Sequence, residues 1–337
     1  MNIKLEFLDP KTITDSQIDE VTHAVSKAFN DFNTTIGATR EVMDEEFGDP
    51  DVTPLVLNGI CKSYEGYAAV ADNGSGRIVG VSFVDVHAKG SRVATLGPVS
   101  SVAPGAGKMT FVAACAHAEK LGFSTLILMQ VASNSRSFSL YAKLGFEVKH
   151  TCQYVGGFLE RPNGDSLPPP PSGSRGGGGG GGGGGGLSLN AMVAGDVEEC
   201  ADIFLAAHGG DCGWDRRADI TGALGAGYPY SMLVARDACG KVVGYTTGFF
   251  ISGHTVATSQ DVFCAMFKES SRLHQQGGLP CPRFHCPVEF SSLLSWSLAQ
   301  PGLKVFRATI IMARGHYEHT PWPHPAGYVV APSIMGY

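Results

Sequence analysis

Apolar positions recur along the first 160 residues with a period that changes from block to block. Between Asp15 and Phe29 they fall at Ile18, Val21, Val25 and Phe29, the three-to-four spacing of a helix with one buried face. Tyr67–Asp72 and Gly76–His87 are short apolar runs on either side of a Gly-containing turn, and they predict a hairpin. Thr125-Leu-Ile-Leu-Met-Gln-Val131 is a continuous apolar run of strand length, and Gly145 closes a short helix that opens at Asn134. The predicted order is strand (3–8), helix (15–30), helix (53–64), strand (66–72), strand (76–87), strand (92–103), helix (107–121), strand (124–132), helix (134–144) and strand (146–158).

After residue 160 the pattern stops. Residues 161–186 contain four consecutive prolines, Pro168 to Pro171, and eleven glycines from Gly176 to Gly186. Such a stretch buries no apolar surface and predicts a disordered linker, stiff in its proline part and coil-like in its glycine part. It divides the chain into a first unit, 1–160, and a second, 187–337. The second echoes the first: Ser231–Gly244 repeats the strand-turn-strand pattern of Tyr67–Gly80, and Asp196–Ala207 repeats the capped amphipathic helix opened by Asp15. Pro301–Val305 matches Leu144–Val148. Three echoes in one order predict a duplicated unit. Beyond the hairpin the second unit diverges, with helices predicted from Asp261 and over Val288–Ala299, a strand over Leu303–Ala313, and coil from Pro321 to Tyr337.

A length of 337 residues fits two domains, and 43% hydrophobic content is enough for two cores. The net charge of −6, with no basic run longer than two residues, excludes a nucleic-acid surface. No apolar stretch is long enough to span a membrane. Acids near the N-terminus are unlike a signal or transit peptide, which predicts a cytoplasmic protein with silent sequons at Asn33 and Asn73. Nine scattered cysteines predict reduced thiols. Cys281, His285 and Cys286, with His316, His319 and His324 further on, have loose spacing for a zinc site, so no metal is expected.

Two segments carry candidate chemistry. Ser101-Val-Ala-Pro-Gly-Ala-Gly-Lys108 leads from a strand into a helix, and its glycines Gly105 and Gly107 would let backbone N–H groups approach an anion at the helix start, with Lys108 as counter-charge. A P-loop would need Gly at Val102 and Ser or Thr at Met109, so a nucleoside triphosphate is not its ligand. Asn134-Ser-Arg-Ser-Phe-Ser-Leu-Tyr141, followed by Leu144-Gly145-Phe146, sets Asn134 and Tyr141 about two helical turns apart on one face.

Strand, polar turn, helix with an inward Tyr, Leu-Gly-Phe and strand resemble the acyl-CoA half of the GNAT acetyltransferase superfamily, over nearly all of 1–160. The resemblance implies a mixed α/β (α+β) sheet whose central strands splay, in tandem copies joined by a flexible linker, the second copy lacking the CoA glycines. It implies an N-acetyltransferase moving an acetyl group from acetyl-CoA to a small-molecule or peptide amine by direct attack. Backbone from Val99 through Ser101 to Val102 would hold the pantetheine arm; Gly105, Gly107 and Lys108 the diphosphate; Asn134 and Ser137 the cofactor arm. Tyr141 would protonate the leaving thiolate. Asp85, with His87 beside it, is the candidate base, and Arg136 or Ser137 could instead cap the helix. In the second unit His208, Trp214, Arg216 and His254 would be candidate substrate contacts. The family carries about five more residues between Pro104 and Gly105, so the short corner predicts fewer donors and binding weaker by roughly 10²–10⁴. The alternative is a catalytically decayed GNAT-fold sensor or interaction protein with weak or no CoA binding.

Overall fold

Residues 2–37, 52–72, 76–85, 92–159, 186–209, 215–225, 231–317 and 326–332 are described by the structure, a computed structural model. The linker predicted over 161–186 lies outside the described residues except for Gly186.

Strand β1 (Ile3–Leu8) leads to helix α1 (Asp15–Thr35), α2 (Val52–Ser63) and an antiparallel run of β2 (Glu65–Ala71), β3 (Ile78–Val84) and β4 (Val93–Ser101). Next come α3 (Ala106–Lys120), β5 (Thr125–Val131), α4 (Ser135–Lys143) and β6 (Glu147–Gly157). The second half repeats the opening with β7 (Ser188–Ala191), α5 (Val197–Ala207), α6 (Arg217–Gly225), β8 (Leu233–Arg236), β9 (Val242–Thr246) and β10 (Thr255–Ala257). It closes with α7 (Gln260–Gly277), β11 (Arg283–Pro287), α8 (Ser291–Leu298), β12 (Leu303–Gly315) and β13 (Val329–Ala331).

Each boundary has a local cause. Thr14, not Asp15, caps α1: its hydroxyl accepts from the Gln17 N–H while the Gln17 side chain accepts from the Thr14 N–H, a reciprocal capping box. Asp196 makes no cap bond to α5 either; its carboxylate accepts from the Val193 N–H and from Arg236. Ser259 caps α7, and Gly278 ends it in a left-handed conformation.

The two halves share a sheet. Its order is β1-β2-β3-β4-β5-β12-β6-β11, so β12 of the second half lies between β5 and β6 of the first, and β6 lies between β12 and β11. A second, five-stranded sheet runs β13-β10-β9-β8-β7. β6 and β12 are the two strands whose openings echo each other in sequence, and each has crossed into its counterpart's half. The packing follows the exchange: Phe250 and Ile251 of the second half are buried with Val21, Leu57, Val81 and Phe83 of the first. The second core centres on Phe249, Phe263, Phe267 and Phe284, whose rings meet edge to face at 4.9–6.3 Å, contacts worth about 0.5–1.5 kcal/mol each beyond area burial. β13 corrects the coil expected after Pro321: Val329, Val330 and Ala331 are buried and pair with β10. No described helix is long and apolar enough to cross a membrane.

Candidate active site

The sheet splits where the sequence placed its chemistry. β4 and β5 are parallel neighbours only through Val93↔Thr125, Ala94↔Leu126 and Thr95↔Ile127; beyond Thr95 they part. On its other side β4 stays paired with β3, through a register shift opposite Ser82 and Val84. The Val102 N–H donates to Val79 O at 2.9 Å, and an antiparallel ladder alternates its bonding direction, so Ser100 also faces β3. Val99 and Ser101 therefore direct their backbone groups into the gap. Val102 departs from the expected set, because its amide is taken and its side chain packs with Ala69, Val79 and Ala106.

Helix α3 begins at the head of this gap. Gly105 takes φ +83° as its N-cap, and Gly107 sits where a Cβ would come within 3.0 Å of the Ser101 Cβ, so the helix start rides directly on the end of β4. The Ala106 N–H turns back to Ala103 O. Gly107 and Lys108 follow in the first turn, where a helix has no internal acceptor, and their N–H groups have none elsewhere among the described residues. Gly105 and Lys108 are exposed. The result is a small nest of amides at the positive end of a 15-residue helix, beside one lysine.

Across the gap, Asn134 caps α4: its Oδ1 accepts from the Ser137 N–H at 3.1 Å, which leaves the two donors of its amide nitrogen for another partner. That bond identifies Asn134 itself as the cap, in place of Arg136 or Ser137. Tyr141 is 5% exposed, with its ring 4.7 Å from Phe111. Burial pushes its hydroxyl well above the ordinary tyrosine range, with nearby Ser137 only partly opposing it, so it stays protonated. Asp85 is buried just beyond β3, its N–H bonded to Thr95 O; strand alternation turns it from the Val84 face, which packs with Tyr141. Asp85 and Tyr141 thus stand on opposite faces of the split sheet. His87 lies outside the described residues.

Three residues were missed by sequence reasoning. Thr95 and Ser100 on β4 and Gln130 on β5 are buried, and Thr95 Oγ1, Ser100 Oγ and Gln130 Oε1 have no hydrogen-bond partner among the described residues. Their signal was available as polar side chains inside otherwise apolar strands. All three oxygens are enclosed, and strand alternation sets Gln130 on the face of Leu126 and Leu128 and Thr95 on the opposite one, so they do not line one cavity.

The second half is built differently. β10 corresponds to β4, but its outer edge is covered by β13, pairing Thr255↔Ala331 to Ala257↔Val329. His208, Arg216 and His254 do come together, within a closed network. His254 Nε2 meets Tyr245 Oη at 2.8 Å and its Nδ1 meets Thr247 Oγ1 at 3.3 Å; Arg216 pairs with Asp219 at 2.5 Å and lies over the Phe204 ring, on which His208 stacks. Trp214 lies outside the described residues. Among the described residues no three His, Cys, Asp or Glu side chains converge on a metal position. Cys281 Sγ accepts from Arg283, and His285 meets Thr309 Oγ1 at 3.1 Å.

Buried imidazoles make stability depend on acid. Burial, then the charges of Arg216 and His208, hold His254 well below its ordinary value; burial and Arg307 lower His285 to about 3; burial lowers His274. The unfolded chain binds protons at these sites near the ordinary value of 6.5 and the folded chain does not, so stability is complete above that value and falls as pH drops through it. We expect unfolding free energy to decline between pH 6.5 and 5 by up to roughly 1.4 kcal/mol per unit for each fully buried imidazole. Denaturant titrations at pH 7 and pH 5 measure it, and equal stabilities would contradict these assignments.

No family model matches the chain, and no curated protein matches it. Solved structures do. An acetyltransferase-assigned protein from Pyrococcus horikoshii superposes with a TM-score of 0.59 at 15% identity, covering 94% of this chain and 90% of the other. A tandem GNAT protein from the clavulanic acid biosynthesis pathway gives 0.59 at 12%, covering 94% and 100%. The chain has the tandem GNAT fold. A GCN5-related N-acetyltransferase from Sphaerobacter thermophilus shares that GNAT fold too, with a TM-score of 0.54 at 11% identity over 93% of this chain and 95% of the other.

Proposed function

We propose that the chain is a cytoplasmic N-acetyltransferase, moving an acetyl group from acetyl-CoA to a small-molecule or peptide amine by direct attack in a ternary complex. The parting of β4 from β5 beneath the start of α3 carries this reading, because it leaves the backbone groups of Val99 and Ser101 without a strand partner on that side. Buried, free thiols support a reducing compartment. Bound acetyl-CoA would supply an activated thioester carbonyl.

The Gly107 and Lys108 amides and the Lys108 ammonium would bind the diphosphate. Val99 and Ser101 would pair with the pantetheine amides as a missing strand would, and Asn134 would donate to the same arm. Asp85 would take the proton of the attacking ammonium from one face while Tyr141 gives its proton to the leaving thiolate from the other. β13 closes the corresponding edge in the second half, so we propose one acyl-CoA per chain. The domain division at 160 and 187 is kept as a division of sequence, since the strands themselves cross it.

One observation favours a second reading, a GNAT-fold sensor without turnover: the Val102 amide is spent on β3, leaving the short corner fewer donors. Calorimetric titration with acetyl-CoA is expected to give one site per chain, and saturation at 100 times the dissociation constant to stabilise the fold by about 2.7 kcal/mol. Thiol release on an amine would support the transferase; binding without thiol release, or no binding at millimolar ligand, would sink it and favour the decayed sensor or interaction protein.

A further inference from the structure

β1 is the outermost strand of the eight-stranded sheet and pairs with β2 alone among the described residues, from Ile3↔Ala71 to Leu8↔Gly66 without a bulge. The Asp72 N–H donates to Asn2 O at 2.9 Å, which fixes the alternation: Asn2, Lys4, Glu6 and Leu8 bond toward β2. The N–H and C=O groups of Ile3, Leu5 and Phe7 therefore point outward. Leu5 is 42% exposed and Phe7 46%, on one face; Lys4 and Glu6 are exposed on the other. Edge strands are commonly blunted by proline, a bulge or charges that repel a second copy. β1 has no proline and no bulge, and its two charges are of opposite sign.

That pattern is self-complementary. Two identical antiparallel strands are related by a twofold axis, so the residue that meets its own copy fixes the register. Centring on Lys4 or Glu6 sets like charges face to face, and centring between residues sets apolar side chains beside charged ones. Centring on Ile3 or Phe7 leaves half the strand unpaired. Centring on Leu5 sets Lys4 against Glu6 twice, Leu5 against Leu5 and Ile3 against Phe7. In this register alone the outward groups of Ile3, Leu5 and Phe7 face one another as hydrogen-bonded pairs, and Lys4 and Glu6 fall at the close, non-bonded positions. Lys4 already lies 2.8 Å from Asp72, but that pair is exposed and holds the lysine only weakly.

We infer that β1 is a homodimer interface, in which two copies of the chain pair β1 antiparallel about Leu5 and join their eight-stranded sheets into one. The inference is independent of acyl transfer. Sedimentation velocity of the full chain over a concentration series tests it. The expected result is a dimer weakened about tenfold or more by Lys4→Glu and by Glu6→Lys, each of which turns two attractions into two repulsions, and restored by the double exchange. Leu5→Pro removes an outward N–H and no bond to β2, so it is expected to give a monomer of unchanged circular dichroism. A wild-type chain that stays monomeric throughout the series overturns the inference. So does a dimer indifferent to Leu5→Pro, or charge variants that the double exchange fails to rescue.

Discussion

Replacing Tyr141 with phenylalanine is expected to lower kcat by about 10²–10⁴ while leaving the KM for acetyl-CoA nearly unchanged. The ring is one element of a packed cluster with Phe111 and Phe146, at 4.7 and 6.3 Å, and phenylalanine keeps every one of those contacts. Only the hydroxyl is lost, so stability should move by no more than about 1 kcal/mol. Burial holds that hydroxyl protonated, which suits a donor and excludes a base at neutral pH. The wild-type rate should therefore show no alkaline loss from Tyr141 below the ordinary tyrosine value of 10. Stopped-flow detection of released thiol, with the melting temperature as a control for folding, separates the cases. An unchanged kcat would leave Tyr141 a core aromatic and no more.

The elements of the first half were legible because their periods differ. Asp15–Thr35 announces itself by Ile18, Val21 and Val25, all buried, and the predicted strands over 66–72 and 124–132 fall within a residue of Glu65–Ala71 and Thr125–Val131. Caps were harder, since Thr14, Asp15, Asn134 and Ser135 are all competent oxygens in successive positions, and only backbone geometry chooses among them. Neighbour relations were not legible. A two-residue period tells which face of β6 or β12 is buried but not which strand lies beside it, and both crossed halves. The echo between Leu144–Val148 and Pro301–Val305 held that information in latent form: strands of like pattern can exchange places in two copies of one fold. β13 was hidden because its three apolar residues sit among Pro, Gly and Tyr, and its pairing with β10 arises only in three dimensions. At the candidate site the glycines and Asn134 were readable as chemistry. Thr95, Ser100 and Gln130 were not, because whether a polar side chain in an apolar strand finds a partner is decided only in three dimensions.

Gly157→Ala is expected to be the most damaging single-methyl change at the exchange of strands. Gly157 ends β6 at φ +138°, where it pairs with Leu303 at the start of β12 and its N–H reaches Pro282 O just before β11. A Cβ there would lie 1.9 Å from Gly302 O and 3.3 Å from the Leu303 Cα, and both neighbours are backbone that cannot swing aside as a side chain could. Gly278 offers the comparison: it also has positive φ, +65° at the end of α7, yet nothing lies within 4 Å of its would-be Cβ. Gly278→Ala therefore carries the conformational cost alone, about 1 kcal/mol. Gly157→Ala adds a clash that must push β6 and β12 apart, and a loss of about 3 kcal/mol or more follows. Because those strands bind each half to the other, the damage should reach both, with protection from amide exchange falling in β5 and β11 as well as at the mutated turn. Denaturant unfolding of the two variants side by side measures the difference. Equal losses would mean that the close approach at Gly302 does not exist and that β6 and β12 meet less tightly than the register implies.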